Sequence, residues 1–154
     1  MQPEIYWEDF KVGDTELMGE KLVDKAEVIA FATAYDPQPF HIDEEAARRS
    51  FFGGLIASGW HTCGMVMRMM CDSYLNKSAS LGSPGVDNVR WLKPVRPGDT
   101  IRATRQVLET RASSSKPDIG IVKSRWDVHN QNGELVMTME GIGMFRRRNP
   151  GGAA

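Results

Sequence analysis

Charge imbalance is missing from this chain: 19 basic residues against 20 acidic ones leave a formal net charge of −1 over 154 residues. Without a basic excess there is no electrostatic footprint for nucleic acid or for an anionic membrane surface. Long apolar runs are missing too, and none approaches the ~20 residues that a bilayer-spanning helix needs. The opening MQPEIYWEDF is acidic and lacks the basic and apolar regions of a secretory signal. Cysteine is scarce. Cys63 and Cys71 stand eight apart in an apolar segment, which suits neither a CxxC redox pair nor a zinc knuckle. Two buried thiols in a reducing compartment account for them, and the cytoplasm is the expected location. There is no Walker or Rossmann glycine pattern and no GxSxG nucleophile elbow.

What is present is an ordinary globular composition, 41% hydrophobic and 25% charged, on a chain long enough for one domain with a real core. Residues 14–23 read as a first strand interrupted by Gly19. Asp24 is placed to cap a helix, with Glu27 in the capping-box position and Val28, Ile29, Phe31, Ala32 and Tyr35 as its apolar stripe. Asp43 is placed to cap a short helix over EEAARRS. The segment 59–75 is the longest candidate helix. From Trp60 to Cys71 it carries no carboxylate and one cation, Arg68, so it is expected to be buried nearly all round, Met65, Met67, Met69 and Met70 filling core.

After Asn76 the pattern changes to strands, over 84–92, 100–109 and 119–129, the last with Val122, Ser124, Trp126 and Val128 alternating with polar residues. Asn130 to Gly133 signals a hairpin into a final strand whose inward face is Leu135, Met137, Met139 and Phe145. Helices followed by a run of strands imply α+β with an antiparallel sheet, wrapped around the long helix. One domain over 1–146 is expected, with a flexible tail over 147–154.

The chemistry concentrates in AYDPQPFHIDEE, residues 34–45. Pro39 rules out a helix interior, and each proline pushes the residue before it toward extended geometry, so a stiff, bent loop is expected. Two readings of Asp36 stand: a turn-opening Asp-Pro, or a carboxylate paired with His41 across one water. Asp43 and His41 could also be read as metal ligands, but no third ligand lies near and capping explains Asp43. In LIASGWHT, Ser58 and Gly59 open the long helix, either as cap and close packing or as free N–H groups facing a substrate oxygen. His61, on the same turn, is a further candidate for substrate contact. Cys63, inside the helix, is a poor nucleophile, and His129 falls on a wet strand face.

DPQPFH with HIDEEA, then FFGGLIASGW and RWLKPVRPGDT, in that order and spacing, resemble MaoC-like dehydratases, hot-dog-fold relatives of (R)-specific enoyl-CoA hydratases. The resemblance runs from about Phe10 to Phe145. Asp36 and His41 fall on the acid and histidine of the family motif Gly-Asp-x-Asn-Pro-aliphatic-His. Tyr35 replaces its glycine, Gln38 its asparagine and Phe40 its aliphatic residue, and Ser58 stands where many members carry histidine. The resemblance implies a central helix in an antiparallel sheet, protomers paired into a homodimer, and an acyl-CoA substrate. Asp36 and His41 would activate water for a trans-2-enoyl-CoA, and Gly59, with Ser58 at the helix start, would face the thioester oxygen. No metal or redox cofactor is implied, coenzyme A arriving as part of the substrate. Two rivals stand: a hot-dog thioesterase, against which the carboxylate-free helix counts, and a non-catalytic acyl-binding dimer module.

Overall fold

The computed structural model describes residues 2–152. Its single antiparallel sheet contains β1 (Thr15–Leu22), β2 (Ser80–Gly82), β3 (Val86–Trp91), β4 (Thr100–Ala112), β5 (Ile119–His129) and β6 (Leu135–Arg146). The strands lie in the order β1-β4-β5-β6-β2, and β3 also pairs with β6. Four helices, α1 (Lys25–Tyr35), α2 (Pro39–Ile42), α3 (Glu44–Arg49) and α4 (Gly59–Ser73), fall between β1 and β2 in the chain. This is the α+β hot-dog architecture that the sequence implies. The short strand β2 has no counterpart in the expected elements, because three residues are too few to show a period.

Alternation builds the sheet's inner face. In β5, Val122, Ser124, Trp126 and Val128 are buried while Lys123, Arg125, Asp127 and His129 are partly exposed. Register places Arg105 opposite Trp126, and Trp126 opposite Met139, so inward side chains of β4, β5 and β6 meet across the strands. The β5–β6 hairpin closes where Gly133 takes φ +73° and the Asn130 side chain accepts the N–H groups of Asn132 and Glu134. Gly19 sits at a bulge in β1, at the interruption seen in the sequence.

α4 turns one side to this sheet. His61, Thr62, Met65, Val66, Met69 and Met70 are buried along it, in pairs spaced by about one helical turn. Its other side carries Trp60, 61% exposed, and Met67, 47% exposed, so the helix is not buried all round as expected. A single protomer has only one sheet to cover it, and the outer apolar face is left open. Tyr35, 77% exposed, likewise drops off the apolar stripe of α1, which is anchored by Val28 and Ala32. Asp24 caps α1 through the Glu27 N–H, but the Glu27 carboxylate pairs with Lys21 and leaves the capping box half made. Cys63 and Cys71 are free and only partly buried, a correction to the expected buried thiols.

The chain beyond 146 does not fray at once. Arg147 is buried over the Trp7 ring and donates to the carbonyls of Pro117 and Gly152, while Arg148 pairs with Asp9. The tail is therefore tied down over its first residues, and positions 153 and 154 lie outside the described residues.

Candidate active site

Two prolines and two short hydrogen-bonded turns fold residues 36–41 back on themselves. The Asp36 N–H donates to Ala32 O at 2.8 Å and ends α1, as expected for a residue before proline. Pro39 then opens α2 at a first-turn position, where its missing N–H costs no helical bond. Within the expected stiff, bent segment, Pro39–Ile42 form a single helical turn. It presents His41 back toward Asp36, whose Oδ2 lies 3.2 Å from His41 Nε2. The structure brings the acid and the imidazole together, both largely sheltered.

The histidine is oriented from behind. Its Nδ1 lies 2.7 Å from Ile56 O, and because a carbonyl only accepts, Nδ1 carries the proton. Nε2 is left to face Asp36 and the cleft. Asp36 is held as firmly: Gln38 Nε2 donates to its Oδ1 at 2.7 Å. That bond keeps its carboxyl below the usual carboxylate range, against the upward push of partial burial, with the Ser58 hydroxyl and His41 adding to the effect. Gln38 and Ile56 are site residues that sequence reasoning did not assign. A glutamine two residues after an aspartate carries no mark of that bond, and Ile56 contributes only its backbone.

Ser58 caps α4, its Oγ accepting the Trp60 N–H at 3.3 Å. It is wholly buried and is not among the residues that line the cleft, and its hydroxyl stands against Asp36. Gly59, next along, does line the cleft, and its N–H has no acceptor among the described residues. The helix start favours negative charge at that point. A side chain at Gly59 would collide with the Trp91 indole. The cleft holds about 540 Å³ and is walled by Asp36, Gln38, His41 and Gly59 with Phe40, Phe51, Phe52, Trp60 and Trp91. Phe51 is 99% exposed at its rim.

His61 is turned away. It stacks on Phe31 with ring centroids 4.9 Å apart, and burial pushes its imidazole down, so it is neutral at physiological pH. Asp43 caps α3 through the Ala46 N–H at 2.9 Å and does not join His41. Among the described residues no three His, Cys, Asp or Glu side chains cluster as metal ligands would. Cys63 borders a second, almost wholly apolar cavity of about 480 Å³ between α4 and the sheet, and burial pushes its thiol up. Trp60 lines both spaces.

A family model described as MaoC like domain matches residues 12–125. The chain belongs to the MaoC-like domain family. It is 32% identical over 117 residues to 3-hydroxybutyryl-CoA dehydratase of Methylorubrum extorquens, covering 71% of this chain and 69% of that protein. A MaoC-like dehydratase structure from Rhodospirillum rubrum is 42% identical, covers 94% of this chain and 99% of its own, and has a TM-score of 0.84. A second similar structure, the monoamine oxidase regulatory protein of an Archaeoglobus species, is 30% identical with a TM-score of 0.85, covering 96% of this chain and 98% of its own. No helix among the described residues is long and apolar enough to cross a membrane.

Proposed function

We propose that this chain is a hydro-lyase acting on acyl-CoA thioesters, adding water to a trans-2-enoyl-CoA to give an (R)-3-hydroxyacyl-CoA, or the reverse. The observation that carries this reading is the Asp36–His41 pair, 3.2 Å apart, facing a cleft that Gly59 at the helix start also lines. A family relative named 3-hydroxybutyryl-CoA dehydratase supports it. Water held by Asp36 and His41 bonds through its oxygen to C3. Its proton passes to the pair, and a proton from the pair goes to C2. Negative charge built up on the thioester oxygen meets the Gly59 N–H, and removing one such donor typically costs about 2.7–4 kcal/mol of barrier. The acyl tail takes the apolar cavity behind Trp60. The reaction needs no resident metal or redox cofactor.

The same reading makes the chain a cytoplasmic homodimer. β3 pairs with β6 on one side only and presents exposed Val86 and Trp91, next to the open face of α4 with Trp60 and Met67. An unpaired strand beside an apolar patch is a template for a second copy.

A panel of trans-2-enoyl-CoAs, followed by loss of enoyl absorbance, tests the activity. Turnover that Asp36→Asn or His41→Ala abolishes is expected. Release of free thiol without hydration would replace this reading with the thioesterase, and tight binding of acyl-CoA without turnover would replace it with the acyl-binding module.

A further inference from the structure

Two spaces flank the start of α4, and among the described residues Trp60 is the one that lines both. It walls the cleft that holds Asp36 and His41, and it also walls the apolar cavity between α4 and the sheet. Cys63, Gly64 and Met67 follow it along the same face of the helix, and all three line the cavity. Helical side chains lean toward the N-terminus of their helix, so the Trp60 indole leans over the helix start, beside Gly59. There it meets the Trp91 ring edge to face, with centroids 5.3 Å apart and planes at 77°. Trp91 in turn lies against Gly59, where a side chain would collide with it. The Trp60 side chain is largely exposed, so little packing holds the ring in place.

Gly64 lies one turn further into the helix, where glycine serves helix stability less well than alanine. No close neighbour requires the small residue: a methyl group there would meet nothing within 4 Å beyond its own stretch of helix. The space over Gly64 is therefore part of the cavity, which Met67, Met70, Met139 and Phe145 wall further in. An unsubstituted hydrocarbon tail suits those walls, and a polar or charged one would lose its hydration there. A tail of four carbons ends near its reacting double bond and stays at the cleft. A longer one has to pass the Trp60 ring to reach the space over Gly64.

We propose that Trp60 is the chain-length gate of this site. With the ring in place the cleft favours short acyl tails, and longer unbranched tails take the cavity only by displacing it. The proposal rests on the reading of the chain as an enoyl-CoA hydratase and names its preferred substrate class: short, unsubstituted trans-2-enoyl thioesters. Trp60 touches the tail and not the reacting atoms, so it decides which substrate reacts and leaves the acid–base work to Asp36 and His41.

The test compares kcat/KM for straight-chain trans-2-enoyl-CoAs of four, six, eight and ten carbons, on the protein as it assembles in solution. The unaltered protein is expected to prefer four carbons to eight by about tenfold, the order of discrimination that apolar contacts at a pocket wall supply. Trp60→Ala is expected to raise the eight-to-four ratio by about tenfold, chiefly through a lower KM for the longer substrate. Adding Gly64→Leu to that variant is expected to take most of the gain away, because leucine fills the space the tail would use. Should Trp60→Ala fail to fold, Trp60→Phe, which keeps a smaller ring, is expected to raise the ratio about threefold. An unaltered protein that prefers eight carbons, a ratio unmoved by substitution at Trp60, or a gain that survives Gly64→Leu would overturn the proposal while leaving hydration intact. Turnover of no member would remove the hydratase reading, and the gate with it.

Discussion

Asparagine at position 36 removes a charge and a base while keeping the shape of the side chain. Its Oδ1 can still accept from Gln38, which now donates to Asp36 at 2.7 Å. Its Nδ2 can donate to His41 Nε2, because the Nδ1 proton of that ring is committed to Ile56 O at 2.7 Å. The turn from 36 to 41 is therefore expected to persist, with a stability loss of about 1 kcal/mol from exchanging charge-assisted hydrogen bonds for neutral ones. Activity should fall far more. A positioned acid–base group contributes about 10²–10⁴ in rate, or roughly 2.7–5.5 kcal/mol of barrier. The assay is the initial rate of enoyl absorbance loss with a short trans-2-enoyl-CoA, run beside a thermal melt of the same preparation. A variant keeping more than about a tenth of the wild-type rate would refute the role of Asp36. A melt lowered by several kcal/mol would assign the loss to folding instead. The pH dependence adds a check with a definite sign. Since the folded structure holds the Asp36 carboxyl low, its stabilisation is present above the unfolded value of about 3.9 and lost as pH falls through the lower folded value. Asp36→Asn should lack that acid-side contribution.

Gly59→Ala should destabilise by about 1–3 kcal/mol and cut turnover, because its methyl meets the Trp91 indole, and Trp91→Leu in the same chain should restore most of the stability. His61, pushed down by burial, contributes stability that is full above the unfolded value of about 6.5 and declines as pH falls toward the folded one. His61→Phe should remove that decline in a pH series of melts and leave turnover in place, and a loss of turnover would return His61 to the site. Val86→Lys on the β3 edge should convert the expected homodimer to monomer in sedimentation, and a wild-type protein already monomeric at micromolar concentration would refute that interface.

The sheet was legible because its strands alternate: Val122, Ser124, Trp126 and Val128 announce both the period and the buried face. Helix starts were legible at Asp24, Asp43 and Ser58, where a short oxygen-bearing side chain precedes the helix and bonds into its first turn. The proximity of Asp36 and His41 was legible only as a possibility, since proline positions restrict the backbone without stating the direction of the bend. What did not show in the sequence depends on contacts between distant residues. Trp91 against Gly59, Ile56 O behind His41, and Arg105 opposite Trp126 are set by sheet register and by loop return. The outer face of α4 misled for a related reason: apolar composition reports that a surface is to be covered, without saying whether the cover is the same chain.

Gln38 joins these threads at the site. It stands where the family motif carries asparagine, and it is one methylene longer. That length lets the amide turn back onto Asp36 Oδ1, two residues away, at 2.7 Å. The bond fixes the carboxylate, and it also makes the carboxylate a weaker base, because a donor to the charged form favours that form. His41 Nε2 lines the same cleft and lies 3.2 Å from Asp36 Oδ2, its other nitrogen already occupied as a donor to Ile56 O. Under the proposed hydration, a carboxylate held in its charged form is suited to orienting water and compensating charge beside the fixed imidazole. On this argument the glutamine is more than a change in pocket shape. It biases one member of the pair toward its charged form, which the motif alone does not state.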